Sequence, residues 1–442
     1  MTSFRQQIAE ALGPDMPPRT RVLEIGDGAL PSCFDVTGLT LASIEAAAAE
    51  LGDLLGAAQV TLNRRHALMW FDMTLRPTGW ELPGAWDPIA GNYPAADGWI
   101  RLHTNAPRHR AAAQSVLGCT PDREAVAQSV RDWEKDALET AVVAAGGAAG
   151  AMRGLADWAR HPQGRAVAAE PLVAWTHKGD AAGDLRLNGL RVLDLTRVLA
   201  GPVATRFLAG FGANVLRIDP PDWTEPGVEP EVTLGKRCAG LDLTLPTDRV
   251  RFETLLRSAD VLVHGYRPDA LERLGFGAER RQSLAPAAIE VTLNAYGWTG
   301  PWAGRRGFDS VVQMSCGLAA EAMRQADADR PVALPVQALD HATGYLMAAA
   351  VLRAVRVRNG RRQVLSARLS LARAAHLLVS AGLHGPSAPM PPETDADLAP
   401  ESEATGWGPA RRIAFPVEVD GRMPTWRHAA GPLRRSAAVW ET

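Results

Sequence analysis

The most constraining feature of the chain is a strand, turn, helix and strand pattern near its centre, in the segment RVLDLTRVLAGPVATRFLAGFGANVLRID. Its apolar runs at 191–195 and 214–218 are short and bounded by glycine or polar residues, which is typical of buried strands. The small-residue turn Ala200-Gly201-Pro202 leads into the helix between them. This order predicts a right-handed βαβ unit whose helix begins at the carboxyl end of a parallel sheet, where anionic ligands bind.

Further motifs follow this unit, and their order is what identifies a family. They are LGKRCAGLDL at 234–243, SADVLVHGYRPDALERLGF at 258–276, IEVTLNAYGWTGPWAGRRGFDSVVQMSCGLA at 289–319 and VQALDHATG at 336–344. No single motif is decisive, but the series resembles the family III CoA-transferases, which include formyl-CoA transferase, carnitine CoA-transferases and the related α-methylacyl-CoA racemases. The resemblance implies an α/β fold in which a Rossmann-like parallel-sheet domain binds CoA beside a smaller α+β domain.

The resemblance implies that the two domains occur in swapped order, because the small domain follows the sheet domain in the family and precedes it here. A weak internal repeat indicates a partial duplication. The segments 35–52 and 340–357 both begin with Asp, soon reach Thr-Gly and continue into an Ala-rich helix. We interpret them as remnants of a tandem fusion in which one copy lost its sheet domain and the other its small domain. The predicted units are a truncated, helical N-terminal repeat (1–75), the small domain with a linker (76–185), the Rossmann-like CoA-transferase domain (186–383), a flexible linker (384–410) and a C-terminal segment that returns to the sheet domain (411–442).

The resemblance implies that Asp340 is the catalytic nucleophile. In the family, a carboxylate attacks the acyl-CoA thioester to give a mixed anhydride, and the released thiolate then forms an aspartyl thioester. A carboxylate suits this role because it is ionised at neutral pH. The residues alone leave a second role open, since Asp is a favoured N-cap and a helix is predicted to begin near His341. We expect His341 to be a surface residue and Asp35, which no sheet-domain motif precedes, to be a structural cap.

The resemblance also places the CoA site at the strand-end loops. CoA carries several phosphate groups, so its site needs fixed cations and amides. The residues that match the family's contacts are Arg197, Leu199, Ala200, Leu241, Thr244, Gly265, Tyr266, Arg267, Arg273, Arg306 and Phe308. Leu199 offers only its backbone where formyl-CoA transferase-like members have Gln. Pro220 and Thr244 replace an Arg and a Lys of such members, and we expect the missing charges at Lys236 and Arg237.

Phe308 distinguishes the subfamilies. The racemases have a His at this position to move a proton at the α-carbon, which phenylalanine cannot do. Asp309, the next residue, is expected to orient neighbouring groups. In the small domain, His103, His109 and Arg110 are either part of an acyl pocket or solvated helix residues.

The composition limits the partners and cofactors. The 442 residues are 46% apolar with a formal net charge of −2, so the chain has no general positive field for nucleic acid or an anionic membrane. Its four cysteines are scattered without CxxC spacing, so we expect buried or inert thiols and no metal site. We expect a cytoplasmic protein without a tightly bound cofactor, which uses CoA as a substrate and forms a homodimer, with interlocked chains as one option.

The predicted function is CoA transfer between an acyl-CoA and a carboxylic acid through an aspartyl anhydride and thioester. Two alternatives stay open. A non-catalytic CoA-binding homologue or scaffold is favoured by the changes at Leu199, Pro220 and Thr244, whereas Phe308 argues against an acyl-CoA isomerase or racemase. A dinucleotide dehydrogenase is excluded because LAGPVA lacks the GxGxxG fingerprint.

Overall fold

The computed structural model of the chain describes residues 3–13, 15–385 and 387–441. Its N-terminal segment contains α1 (Phe4–Leu12), β1 (Arg21–Ile25), α2 (Val36–Leu55), β2 (Gln59–Asn63), α3 (Arg64–Met69) and β3 (Leu75–Pro77). β1 and β2 form a parallel pair. The prediction of a helical segment over 1–75 is therefore corrected, because Val60 and Leu62 bury alternate side chains of β2, as a strand does.

A small α+β unit follows. Its elements are β4 (Gly91–Ala95), β5 (Gly98–Leu102), α4 (Pro107–Leu117), α5 (Arg123–Val130), α6 (Lys135–Ala144), β6 (Ala149–Ala151), α7 (Leu155–Arg160) and α8 (Pro162–Ala169). β4, β5 and β6 form an antiparallel sheet. Asp97 holds the start of α6 by accepting a 2.7 Å hydrogen bond from the N–H of Lys135.

The largest unit is built around a seven-stranded sheet. Its elements are β7 (Ala174–Asp180), β8 (Arg191–Leu195), α9 (Ala200–Gly210), β9 (Asn214–Asp219), α10 (Glu229–Val232), β10 (Arg237–Gly240), α11 (Pro246–Arg257), β11 (Val261–His264), α12 (Pro268–Arg273), α13 (Ala278–Leu284), β12 (Ile289–Asn294), α14 (Asp309–Ser315), α15 (Leu318–Gln325), α16 (Ala338–Arg361), β13 (Gln363–Ser370) and α17 (Leu371–Ser380). The strand order is β10-β9-β8-β11-β12-β13-β7, and only β7 runs antiparallel to its neighbour. Counted from β8, the parallel strands have the order 3-2-1-4-5-6 of a Rossmann sheet.

Alternate residues of β8 point into two apolar cores, so helices cover both faces of this sheet. Val192 belongs to the core that includes residues of α9 and α16, and Leu193 to the core that includes residues of α11 and α13. The predicted α/β class with a parallel sheet is confirmed. The sheet is larger than predicted, since β7 lies in the stretch assigned to the linker before residue 186.

The C-terminal segment is also regular. It contains a 3-10 turn (Asp395–Asp397), β14 (Glu403–Thr405), β15 (Gly408–Arg412) and β16 (Val417–Val419). β14 and β15 form a sheet with β3, and β16 pairs with β2. The flexible linker predicted for 384–410 is therefore corrected, because Arg65 also holds Asp397 with hydrogen bonds of 2.6 and 2.8 Å. Beyond β16 the chain contacts the sheet domain, where the N–H of Ser436 donates to the carbonyl of Cys238.

The two Ala-rich helices of the predicted repeat, α2 and α16, pack against each other. All residues of α16 from Ala338 to Arg358 are buried. In the interface, Glu50 pairs with Arg356 at 2.5 Å and with Arg353 at 3.6 Å, and none of the three side chains is more than 6% exposed. Within the described residues, no helix combines the length and the apolar character that crossing a membrane requires.

We predict that Glu50→Gln lowers the free energy of unfolding by about 3 kcal/mol, because Glu50 is the most deeply buried carboxylate that pairs with Arg356 and Arg353. Their other partners, Asp53 and Asp15, are more exposed. Urea denaturation measures this effect. The matched control on the same helix is Glu45→Gln, because Glu45 pairs with Arg5 at the partly exposed surface and its loss should cost about 1 kcal/mol or less. Equal losses in the two variants would contradict this account of the helix interface.

Candidate active site

The site lies where the order of the parallel strands reverses. From β8 the chain proceeds to β9 in one direction across the sheet, whereas from β11, the other neighbour of β8, it proceeds to β12 in the opposite direction. The loops that follow β8 and β11 therefore diverge and leave a crevice between them. These loops contribute to a cavity of about 420 Å³, here called the basic cavity. It is lined by Arg108, Arg197, Arg267, Arg273, Arg305 and Arg306, and also by His109, Thr196, Ala200, Gly265, Tyr266, Phe308 and Asp340 among other residues.

Arg197 is held in a defined position in the basic cavity. Its guanidinium lies over the rings of Trp223 and Tyr266, at 4.9 and 4.8 Å from the ring centres, and donates a hydrogen bond to the hydroxyl of Tyr266. The next residue, Val198, has a φ of 67°, which is rare for a β-branched residue. Its N–H donates to a carboxylate oxygen of Glu225 at 2.8 Å. The turn after β8 is therefore fixed by contacts on both sides of Arg197.

A second cavity, of about 330 Å³, lies at the ends of β9 and β10 and shares Leu195 and Tyr266 with the basic cavity. Leu241 and Thr244, two of the predicted CoA contacts, line it together with Pro220. The predicted CoA residues are thus divided between adjoining cavities, with most of them in the basic cavity.

The predicted relocation of charge to Lys236 and Arg237 is wrong. Lys236 is fully buried, and its Nζ donates to Asp194 at 3.1 Å and to the carbonyl of Pro202 at 3.0 Å. Arg237 donates to the carbonyl of Val439 at 2.6 Å. Both side chains donate to acceptors within the chain, because Lys236 lies beside β10 and Arg237 is its first residue.

A third cavity, of about 400 Å³, shares Phe308 and Asp340 with the basic cavity and is here called the aromatic cavity. It is lined by Phe71, Met73, Trp86, Asp87, His103, Ala106, Leu199, Trp223, Glu225, Glu231, Phe308, Asp309, Asp340 and His341 among other residues. Leu199, expected at the CoA site, lies here instead. Residues from the N-terminal segment, the small unit and the sheet domain of one chain together form this cavity.

Asp340 lies at the junction of the basic and aromatic cavities. α16 begins at Ala338 with Gln337 as its N-cap, so Asp340 is in the first turn and the capping alternative for its side chain is wrong. Asp340 is 6% exposed, and its backbone N–H donates to Asp309 Oδ2 at 2.9 Å. Its carboxylate accepts no hydrogen bond from the part of the chain that the structure describes. The carboxylate is therefore free to interact with a ligand in either cavity.

Asp309 caps α16 from another helix. Its Oδ2 accepts hydrogen bonds from the N–H groups of Leu339, at 2.8 Å, and of Asp340, and its Oδ1 accepts one from Gln313. Burial raises the pKa of Asp309 to about 6. Burial, and then the charge of Asp309, raises the pKa of Asp340 well above its ordinary value. No local signal predicts this cap, because Asp309 is the first residue of α14 and lies far from α16 in the sequence.

Gly344 brings α16 close to the turn after β8. A Cβ atom on Gly344 would lie 2.4 Å from the carbonyl oxygen of Ala200, so a side chain at this position would push α16 away from α9. The first-turn N–H groups of α9, near Ala200, have no acceptors within their own helix. The close approach therefore brings the first turn of α9 near α16, and Ala200 and Asp340 line the same cavity.

The prediction that His341 is a surface residue is wrong. Its side chain is buried, and its ring stacks on Phe71 with 5.1 Å between the ring centres. Burial lowers the pKa of His341 to about 3. The ring of His103 is buried against Phe308 at 3.7 Å, and burial lowers its pKa well below the ordinary value. Both imidazoles are therefore neutral near pH 7.

The small-domain candidates are not equivalent. His103 lines the aromatic cavity and His109 lines the basic cavity, and both are buried, so the alternative of solvated residues is wrong for them. Arg110 lines neither cavity and pairs with Asp87. Trp86 and Trp223 also line the cavities, and sequence reasoning missed them because isolated tryptophans are more often core residues.

We predict that Asp340→Asn stabilises the fold by roughly 1–3 kcal/mol at about pH 8, because it removes a buried charge that has no hydrogen-bond donor. A carboxyl with a raised folded-state pKa stabilises the fold at low pH, and this stabilisation is lost as the pH rises through that pKa. The advantage of the variant should therefore grow between about pH 5 and about pH 8. Urea denaturation at both pH values measures it.

The matched control is Asp35→Asn. Asp35 caps α2 by accepting a 2.7 Å hydrogen bond from the N–H of Gly38, and Asn caps as well as Asp, so little change is expected. A destabilised Asp340→Asn at about pH 8 would contradict the account of an unpaired buried carboxylate.

Comparison with known proteins identifies the sheet domain. Residues 187–401 match the sequence model of CoA-transferase family III. An acetyl-coenzyme A transferase, nodX, of Hypoxylon pulicicidum is 35% identical over 193 residues, which are 42% of this chain and 32% of that protein. The succinyl-CoA:glutarate CoA-transferase of Mus musculus is 30% identical over 247 residues, 52% of this chain and 53% of that protein.

A crystal structure of Rv3272 from M. tuberculosis, in its orthorhombic form, is 28% identical and covers 45% of this chain and 59% of that chain, with a TM-score of 0.39. The chain spans about half or less of the length of the curated relatives named above. The motif series and the family model coincide over the sheet domain. The resemblance is therefore confirmed: residues 187–401 of this chain match CoA-transferase family III.

Proposed function

We propose that the chain is a CoA-transferase that moves CoA between an acyl-CoA and a carboxylic acid, with Asp340 as the nucleophile. The position of Asp340, at the junction of the basic and aromatic cavities, supports this most strongly. From that position its carboxylate can meet the thioester of a CoA bound in the basic cavity and an acid bound in the aromatic cavity. The alternative of a non-catalytic CoA-binding protein requires no reactive group at this junction.

The pKa of Asp340 is raised, so the ionised fraction of this carboxyl grows with pH. The proposed reaction begins when the ionised form attacks the thioester carbonyl, which releases the CoA thiolate and leaves a mixed anhydride. The thiolate then attacks the aspartyl carbonyl, the donor acid leaves, and an aspartyl-CoA thioester remains. The acceptor acid repeats these steps in reverse order. The absence of donors to the Asp340 carboxylate, within the described residues, favours attack, because the carboxylate does not have to give up a hydrogen bond first.

The negative oxygen that forms at each addition needs hydrogen-bond donors. Leu199 has no polar side chain, so the donors available in this turn are the backbone N–H groups at the start of α9. The N-terminus of α9 adds a favourable dipole for the developing charge. Gly344 supports this arrangement, because it allows α16 to approach the same turn.

The basic cavity would hold the phosphate groups of CoA. Burial, and then the charge of Arg267, lowers the pKa of Arg306, and burial, and then the charge of Arg197, lowers the pKa of Arg108. These guanidiniums repel one another, so an anion that binds among them gains charge-assisted hydrogen bonds and also relieves the repulsion. The cavity around Leu241 and Thr244 would hold the part of the CoA nucleotide that carries less charge.

We also propose that the swapped domain order lets one chain complete its own site. His103 and His109 of the small unit line the same cavities as Asp340 of the sheet domain. No group from a second chain is needed to form these walls. A homodimer and a cytoplasmic location stay predictions.

Intact-protein mass spectrometry after mixing with a panel of acyl-CoAs tests the proposed function. We expect a CoA or acyl adduct on the wild-type chain and none on Asp340→Asn, because only the wild type has the carboxylate that forms the covalent bond. Asp35→Asn is the matched control and should load like the wild type. Binding of CoA without any adduct, in the wild type and after hydroxylamine treatment, would favour the non-catalytic alternative.

A further inference from the structure

The aromatic cavity has walls without free positive charge. None of the residues described around it is a lysine or an arginine. Aromatic rings form one wall, where Trp86 meets the edge of His103 at 5.9 Å and His103 stacks on Phe308 at 3.7 Å. Phe71 and His341 form another stacked pair. Because both imidazoles are neutral near pH 7, these walls offer an acyl chain apolar contact and no counter-charge.

Two glutamates of this cavity, Glu225 and Glu231, are already paired with cations that lie outside it. Glu231 pairs with Arg206 and, at 3.2 Å, with Arg412, and all three side chains are buried. Glu225 pairs with the fully buried Arg217. A second carboxylate on a bound acid would therefore meet negative groups whose arginine partners are already in ion pairs. It would lose its hydration without gaining an ion pair of its own.

One cation lies close to the aromatic cavity but is covered. Arg101 lines a neighbouring cavity of about 670 Å³ on the small unit, together with Arg123 and Arg330, and Trp86 lines both cavities. The guanidinium carbon of Arg101 is 4.7 Å from the centre of the Trp86 ring. Its charge reaches the site, since it opposes the rise in the pKa of Asp309. Asp87 also lines both cavities and pairs with Arg110, so the Trp86 indole is the apolar part of the wall between the aromatic cavity and Arg101.

The Arg101 side chain has a hydrogen-bond donor without a partner among the described residues. One of its terminal nitrogens donates to Asn92 at 3.0 Å, whereas its Nε is buried and has no hydrogen-bond partner among the described residues. Burial lowers the pKa of Arg101 to about 10, so it stays charged near pH 7. An anion that reached it would therefore find a charged donor.

We propose that the acid that exchanges CoA at this site is a monocarboxylic acid with an apolar or aromatic chain, and that Trp86 excludes dicarboxylic acids by covering Arg101. The inference rests on the proposed function and adds its substrate class. A dicarboxylic acid is rejected because its second carboxylate would be unpaired in an apolar cavity. Such an unpaired charge discriminates between acids more strongly than the fit of a single methylene group.

The test measures kcat/KM for CoA transfer to acids of equal length that differ only in the second carboxylate, namely butyrate against succinate and hexanoate against adipate. We expect the wild type to prefer the monocarboxylic acid of each pair by about tenfold or more. Trp86→Ala should raise the ratio of dicarboxylic to monocarboxylic transfer by about tenfold, because the second carboxylate can then reach Arg101. The double variant Trp86→Ala, Arg101→Gln should lose that gain.

Trp80→Ala is the matched control. Trp80 stacks on Trp407 at 6.2 Å, away from the cavities, so the ratio should stay as in the wild type. Thermal melting of each variant shows that it folds. A wild type that prefers succinate or adipate, or a gain in Trp86→Ala that persists in the double variant, would overturn the inference while leaving CoA transfer intact. No transfer to any acid from any acyl-CoA would overturn the proposed function and this inference together.

Discussion

The hydrogen bonds from the first turn of α16 to Asp309 are the interaction on which the rest of the site depends. By accepting the N–H groups of Leu339 and Asp340, the Asp309 carboxylate caps α16 and fixes the direction in which the helix enters the core. Because Asp309 takes this role, the Asp340 side chain is left without a capping bond and lies at the junction of two cavities. A helix capped by its own Asp340 would have no carboxylate available for chemistry.

The position of α16 follows from its packing. It is buried along nearly its whole length between α2, α9 and the parallel sheet, and small residues allow these contacts. The Thr-Gly pair of the predicted repeat has a different purpose in each copy. Gly38 leaves room for the Asp35 cap of α2, whereas Gly344 leaves room for the first turn of α9. The same short motif thus supports a structural helix in one place and the site in the other.

The fold of the sheet domain was predictable because its signals are local. The strands at 191–195 and 214–218 and the series of motifs depend on neighbouring residues, and the structure has these strands at the predicted positions. The predicted turn Ala200-Gly201-Pro202 is instead the first turn of α9. The misassigned features depend on contacts across the chain. Lys236 is inside the fold because Asp194 accepts a hydrogen bond from its ammonium group. His341 is buried because Phe71, far away in the sequence, stacks on its ring. Composition suggested a flexible stretch over 384–410, but its last part forms β14 and the start of β15, and β15 pairs with β3.

Single-turnover transfer with an oxygen-18-labelled acceptor acid shows whether Asp340 forms a covalent bond during the reaction. If the acceptor carboxylate attacks an aspartyl thioester and the thiolate then attacks the acyl carbonyl of the anhydride, one acceptor oxygen stays on Asp340. The account predicts that the proteolytic peptide containing Asp340 gains one labelled oxygen, and that the peptide containing Asp309 gains none. Transfer of CoA to the acid without label in the Asp340 peptide would contradict the account.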